Sequence, residues 1–386
     1  MTVGNLKIPG TIVFGQGSLE ELRKLEGKKA IIITGGSSMK KGGFTDQVDS
    51  ILKEGGFETS LFDKVEQNPS VETVYAGRDQ MLEFEPDWII ALGGGSSMDA
   101  AKAMWAFYEH PNLTFEDIVT PGTCPELRNK AKLCCIPSTS GTASEITAFS
   151  VITDTKKHIK YPLVSEWMVP DVAIIDPSIP AKMPKKITAN TGMDVLVHAT
   201  EAIVSSASND YADALAIQAV KFIFKYLKRA YDNPDDMEAR EKMHNASAMA
   251  GMAFTSSASL GIVHSMAHIL GGRFGITHGL ANAILLPYVT QFNRKATDKV
   301  AWIEEELGVE DFPKAVKELN ESLNIPLTLK DAGFGLEDED KFASELSEMC
   351  EVAQADPCTF TNPRETTPEI IKNIYEHAYK GEDIND

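Results

Sequence analysis

The sequence predicts an α/β amino-terminal half built on a parallel sheet, residues 1–184, joined to an all-helical carboxy-terminal half, residues 185–386. Three observations carry this expectation. Short apolar runs of strand length alternate with segments of helical spacing through the first half, the rhythm of βαβ units. Prolines then cluster at Pro170, Pro177, Pro180 and Pro184, as they do at domain boundaries. Beyond Lys186 strand signals nearly vanish while helical spacing continues.

Taken in order, Ala30 to Thr34 is an isoleucine-rich strand followed by Gly35-Gly36-Ser37-Ser38. A helical pattern covers Phe44 to Gly55, and a second strand candidate runs from Glu58 to Phe62. Asn68-Pro69-Ser70 interrupts the chain, because proline withholds a backbone donor and pins φ. Helical spacing resumes from Val71 to Phe84, and Asp87 to Leu92 reads as a third strand closed by Gly93-Gly94-Gly95. Such near-continuous apolar strands are covered on both faces, which implies a parallel sheet with helices on each side. Right-handed crossovers then bring the strand ends, and any ligand, to one edge. In the second half, segments 187–205, 210–230, 238–258, 260–271 and 279–293 carry helical spacing, and more helices follow from Thr297. A cleft between the halves is the expected ligand site.

Bulk properties narrow the function. The chain has 386 residues, enough for two hydrophobic cores, with ordinary apolar (43%) and charged (24%) content. A formal charge of -19 repels phosphate backbones, so nucleic acid is not an expected partner. No apolar run approaches the roughly 20 residues of a membrane span. The amino terminus lacks a secretory pattern, so a cytoplasmic location without membrane attachment is expected. The five cysteines show no C-x-x-C spacing, and Cys134 and Cys135 read as reduced core residues.

Two loops in the first half suit a dinucleotide. Trp88 to Leu92, then Gly93-Gly94-Gly95-Ser96-Ser97-Met98-Asp99, reads strand, tight turn, helix, with the helix starting near Ser97. Glycines let a ligand approach the backbone, and the positive end of the helix dipole stabilises a pyrophosphate there. The stretch is neither G-x-G-x-x-G nor a P-loop, and by itself it equally fits a turn that closes a strand–helix unit. A second loop, Pro137-Ser138-Thr139-Ser140-Gly141-Thr142-Ala143-Ser144-Glu145, offers hydroxyls after the apolar run Leu133 to Ile136. Two such loops suggest a dinucleotide across the sheet edge, in the manner of a Rossmann-like domain.

The helical half holds the metal-ligating candidates. Five of the eight histidines fall between 198 and 278. Asp194 and His198 are four apart in a helical segment, as are His264 and His268, and four steps of about 100° bring both members of a pair to one face. His278 follows the glycine-rich link Gly271 to Gly275 and precedes another helix. A lone histidine on an apolar helix is ordinarily a hydrogen-bonded core residue, but paired polar residues on apolar faces are costly to bury without a function. Spacing thus proposes Asp194, His198, His264, His268 and His278 and leaves open which of them hold a metal. His110, His158, His244 and His377 read as structural or surface residues.

At these residues the chain resembles the iron-containing, or group III, alcohol dehydrogenase family. The likeness covers Gly93 to Asp99 and Lys102, Pro137 to Thr147, Ile174 to Pro177, Gly192-Met193-Asp194 to His198, His264 to His268, Thr277 to Ala283, and Asn362-Pro363-Arg364. It implies a dinucleotide-binding amino-terminal domain, a helical metal-binding domain, and a metal held by Asp194, His198, His264 and His278. It places His268 near the nicotinamide as a proton relay and gives Lys160 a cofactor contact. The cofactor set expected is Gly35, Gly36, Ser37, Asn68, Gly94, Gly95, Ser96, Ser97, Asp99, Ser138, Thr139, Thr142 and Lys160. One departure is Ser138, where the family usually has threonine; the hydroxyl is retained.

What the resemblance implies is a metal-dependent alcohol dehydrogenase or aldehyde reductase, with a short-chain primary alcohol or its aldehyde as substrate, and a homodimer. Three imidazoles and one carboxylate suit Fe(II), Zn(II), Co(II) or Mn(II) alike; the resemblance implies iron, with Zn(II) the alternative. Thr34-Gly35-Gly36-Ser37-Ser38 carries no acidic residue and is followed by Lys40 and Lys41, which accommodates a 2′-phosphate and favours NADP over NAD. Glycerol or diol dehydrogenases share the pattern. A dehydroquinate synthase would need a site for a charged sugar acid, whereas Ile262, Val263, Met266 and Ala267 suggest a short alkyl chain. A non-catalytic metal or nucleotide binder is the reading of another class.

Overall fold

The computed structural model describes residues 4–157 and 159–384. The reading of His158 lies outside the described residues. The chain divides into two compact units, one of Lys7–Met183 and one of Pro184–Asp386 with the described part of Met1–Leu6. Residues 4–6 therefore group with the helical unit rather than with the α/β unit. The physical tie is a reciprocal pair of bonds: the Asn5 N–H donates to Ser257 Oγ at 3.1 Å, and the Ser257 hydroxyl donates to the Asn5 carbonyl at 3.1 Å.

The α/β unit is built on a parallel six-stranded sheet. Its strands are β1 (Thr11–Phe14), β2 (Lys29–Gly35), β3 (Glu58–Val65), β4 (Trp88–Gly93), β5 (Lys132–Pro137) and β8 (Val172–Ile175), in the order β1-β8-β5-β4-β2-β3. The central strands are buried on both faces, so their sequences run apolar without alternation: β4 is buried throughout its length. Helices α1 (Phe44–Glu54), α2 (Val71–Phe84) and α3 (Gly95–Glu109) are the crossovers, and they sort the core into two layers. Ile31, Ile33, Ile89 and Ala91 pack with α2 and α3, whereas Ala30, Ile32, Ile90 and Leu92 pack with α1.

Strand order reverses beside β2: the chain steps outward to β3, returns to β4 on the other side, and continues to β5. β2 and β4 are in register from Ala30↔Trp88 to Ile33↔Ala91, so their carboxyl ends stand side by side. A doubly wound sheet opens a crevice at that switch point. Both glycine runs found in the sequence emerge there. Apart from this sheet, β6 (Phe149–Asp154) and β7 (Ile159–Val164) form an antiparallel hairpin that sequence periodicity did not reveal.

The helical unit contains α4 (Lys185–Val204), α5 (Asp210–Asp232), α6 (Met237–Ala253), α7 (Ile262–Phe274) and α8 (His278–Asn293), followed by further helices up to Lys380. α4 is the central element, buried from Gly192 to Val204 on every side. Two glycines allow this packing: a Cβ on Gly192 would lie 2.3 Å from Leu227 on α5, and one on Gly279 would lie 2.2 Å from the Asn190 carbonyl. Gly279 thus brings α8 against the α4 backbone. Between α6 and α7 the chain turns through Ser257 and Ser259, both at positive φ, before Gly261 starts α7.

Candidate functional site

The helical unit gathers its polar residues at one place. Asp194 and His198 stand one turn apart on α4, His264 lies in the first turn of α7, and His278 opens α8 behind Thr277. One donor atom each from Asp194, His198 and His264 lie within 4.8 Å of one another, and all three residues are buried. His278 joins them through Nε2, 3.5 Å from Asp194 Oδ1; His264 Nε2 is 4.0 Å from the same oxygen. The rings of His198 and His264 stack with centroids 4.7 Å apart.

Burial first, and then the neighbouring imidazoles of His198, His278 and His268, hold the His264 pKa well below its ordinary value. His264 is therefore neutral, the form that binds a metal. Its Nδ1 lies 2.5 Å from Glu201 Oε2. Burial pushes Glu201 up to about 8, opposed by the backbone N–H groups of Val263, Gly261 and His264. Asn282 completes the cluster: its Nδ2 donates to Asp194 Oδ1 at 2.7 Å and approaches His278 Nε2 at 3.1 Å, while its Oδ1 is buried without a hydrogen-bond partner among the described residues.

These residues fit a divalent cation. Among the described residues the ion-pair contacts of Asp194 are to the imidazoles of His264 and His278 and to no lysine or arginine. A buried carboxylate so placed is costly unless a cation joins it. Imidazole nitrogens and one carboxylate oxygen, with no thiolate, are the donors of Fe(II) or Zn(II).

His268 differs from the other histidines. Its side chain is 47% exposed against 2% for His264, and its ring stacks on His278 with centroids 5.4 Å apart. Its Nδ1 is 2.9 Å from Asp356 Oδ2. Burial alone would raise the Asp356 pKa; the His268 ring and the Cys358 backbone N–H outweigh it and hold the carboxylate below its ordinary value. The neighbours Ile262, Val263, Met266 and Ala267 were expected to suit an alkyl substrate. They are instead buried members of the helical core, because the α7 face that carries them packs inward.

The α/β unit builds its loops from backbone. Gly36 has φ +61° and opens the loop after β2, where Ser37, Lys40 and Lys41 are exposed. Gly35 passes so close to β3 that a Cβ would fall 2.0 Å from the Val65 carbonyl oxygen. After β4, Gly93 has φ +151°, and a Cβ there would lie 2.5 Å from Ser97 Oγ. α3 begins at Gly95, two residues before the expected start, so Ser96 and Ser97 lie in its first turn. The second loop packs on the first: the Ser138 N–H donates to the Gly93 carbonyl at 2.8 Å, Thr139 faces Gly94, and Thr142 faces Gly95.

Asp99, expected as a cofactor contact, also makes hydrogen bonds within the fold. Its carboxylate accepts from Ser144 Oγ at 2.7 Å and from the Val151 N–H at 3.1 Å, so both oxygens are used inside the fold. Lys102, fully buried, donates to Ser144 Oγ, Thr147 O and Phe149 O at 3.1, 2.8 and 2.8 Å. This pair pins the second loop. Asn68 and Lys160, 92 residues apart, meet through a bond from Lys160 Nζ to Asn68 Oδ1 at 2.9 Å.

Glu201, Asn282 and Asp356 were given no role from sequence. Glu201 follows His198 by three residues and Asn282 follows His278 by four, so helical periodicity could have found both. Asp356 reaches His268 from 88 residues away, and no local pattern signals that contact.

Residues 9–177 match the family model described as iron-containing alcohol dehydrogenase, and residues 188–379 match the carboxy-terminal model of the same family. The chain is 50% identical to an NADPH-dependent butanol dehydrogenase from Clostridium saccharobutylicum, with 98% of each chain covered. It is 40% identical to an aldehyde-alcohol dehydrogenase from Streptococcus pneumoniae, of which it spans only 46%. An iron-containing alcohol dehydrogenase from Thermococcus thioreducens has the same fold, with a TM-score of 0.90, 38% identity, and 97% and 99% of the two chains covered. The chain thus belongs to the iron-containing alcohol dehydrogenase family and is an oxidoreductase of that kind.

Proposed function

We propose that the protein interconverts a short-chain primary alcohol and its aldehyde, using Fe(II) held by Asp194, His198, His264 and His278 and preferring NADP to NAD. The observation that carries the reading is the convergence of buried donor atoms from Asp194, His198 and His264, with His278 Nε2 beside Asp194. A divalent cation there would supply Lewis-acid polarisation of the substrate oxygen, and a nicotinamide would supply the hydride acceptor or donor. The chain's own residues do the rest. Asp356 accepts the His268 Nδ1 proton, which leaves Nε2 to take up or release a proton at the exposed rim. The backbone of Gly93 to Gly95 and the α3 dipole hold the pyrophosphate, with Ser138, Thr139 and Thr142 as its hydroxyl-bearing neighbours. Lys160 and Asn68 form a paired contact for the rest of the cofactor.

Support for NADP comes from the exposed, acid-free loop after β2 with Lys40 and Lys41, and from the cofactor named for the butanol dehydrogenase relative. A cytoplasmic homodimer completes the proposal. The test is metal analysis of anaerobically purified protein, then kcat/KM with NADPH and NADH for the wild type and Lys40→Ala/Lys41→Ala. Iron near one equivalent and an NADPH advantage that shrinks about tenfold in the variant are expected, about 1.4 kcal/mol of lost phosphate contact. An NADH preference in the wild type would remove the cofactor part of the proposal.

A further inference from the structure

We infer that Glu201 is the positioning residue of the metal centre, holding His264 in the tautomer whose Nε2 lone pair is turned toward Asp194; the inference rests on the metal-binding reading above. Glu201 sits seven residues after Asp194 and three after His198, so a single face of α4 carries two proposed ligands and the group that orients a third. It is 2% exposed and spans two structures with its two oxygens. Oε2 meets His264 Nδ1 at 2.5 Å, and Oε1 accepts the Val263 N–H at 2.7 Å. The seat is shaped for it: a Cβ on Gly261 would lie 2.7 Å from Oε1 and 3.2 Å from Asn362 Oδ1. Asn362 is itself locked by reciprocal amide bonds with Asn293, each 2.9 Å. The missing side chain at Gly261 therefore leaves the space that the Glu201 carboxylate fills beside Asn362.

Hydrogen-bond chemistry then dictates the tautomer. Backbone N–H groups can only donate, so the oxygen facing Val263 must accept. As a carboxylate, the form that a cation held by Asp194 and His264 favours over the buried acid, Glu201 has a second acceptor oxygen for Nδ1–H, which leaves Nε2 with its lone pair free. Glutamine has the same shape but one acceptor. Its oxygen would be taken by the Val263 N–H, its NH2 would face Nδ1, and the ring proton would be forced onto Nε2, the atom that has to bind the cation. Aspartate keeps both acceptors but is one methylene short.

The test is cobalt(II) binding by anaerobic, metal-stripped protein, measured by chelator competition and by the visible ligand-field spectrum. Glu201→Gln is expected to weaken cobalt affinity about 10- to 100-fold, the usual cost of losing such a partner, with a changed ligand-field spectrum. Glu201→Asp should recover part of the loss. Gly261→Ala, which displaces the carboxylate without altering a polar group, should give an intermediate loss and serves if Glu201→Gln does not fold. Glu201→Gln, or Gly261→Ala in its place, binding cobalt within about threefold of wild type with an unchanged spectrum would overturn the inference. His264→Ala separates the two ideas. If that variant binds cobalt as the wild type does, the metal-site reading fails, and the role of Glu201 fails with it.

Discussion

In the helical unit Asp194, His198 and His264 are buried side chains whose donor atoms come together, and Glu201 and Asn282 fix the directions of His264 and Asp194. In the α/β unit the loops after β2 and β4 have almost no side chain at the point of contact, and their form comes from Gly36 and Gly93 at positive φ. The loop after β5 adds a buried carboxyl: Glu145 is 1% exposed, and burial outweighs its own backbone N–H and the nearby Lys102 in raising its pKa. One region thus uses side-chain donors with defined directions, whereas the other uses backbone shape and a buried charge. Direction and shape should fail differently under mutation.

The largest effect is expected from removing a donor. His264→Ala should lose bound metal and lower turnover on the order of a thousandfold or more, with cofactor binding kept; metal content by elemental analysis together with cofactor titration checks this. Loss of cofactor binding in the same variant would break the distinction between the regions. His268→Ala sharpens it within the helical unit. Turnover should drop on the order of a hundredfold while the metal stays bound, as expected for a proton relay rather than a ligand. Equal loss of metal would make His268 a ligand.

Gly93→Ala tests the other side. A Cβ there would meet Ser97 on a backbone at φ +151°, so the loop must shift. Cofactor KM should rise about tenfold and stability fall by about 1–3 kcal/mol, with metal content unchanged. The last test leaves activity aside and concerns Glu145, whose pKa burial raises from 4.5 to about 7, with Lys102 opposing. A group with a raised folded pKa contributes stability that is complete below its unfolded pKa and lost as pH rises through the folded value. Wild type should therefore lose stability relative to Glu145→Gln between about pH 4.5 and 7, reaching about 3 kcal/mol by pH 8. Parallel pH profiles from denaturant unfolding would show that the loops carry no such charge.

The paired sites in α4 and α7 were legible because helical periodicity is local: a four-residue interval in an apolar segment states which side chains share a face. The glycine runs were legible for a similar reason, since a strand followed by consecutive glycines has few conformations. The short strands β1 and β8 were not, because four-residue segments owe their structure to pairing with each other and with β5. Asp99 stands between the two cases: its position in the glycine loop suggested a cofactor contact, but no local pattern signals that its carboxylate also accepts from Ser144 of the second loop and from the Val151 N–H on β6.

The sequence by itself determined the α/β and helical halves, the two loop sequences and the set of five candidate residues, all properties of spacing over a few turns. Tertiary structure decided which of those residues converge. Gly279 brings α8 to α4 so that His278 reaches Asp194, Glu201 orients His264, and Asp356 holds His268 at the exposed rim. Periodicity can place a side chain on the face of its own helix. Where that face points, and what it meets there, depends on how close the backbones of distant segments can come, and in this protein single glycines set that distance.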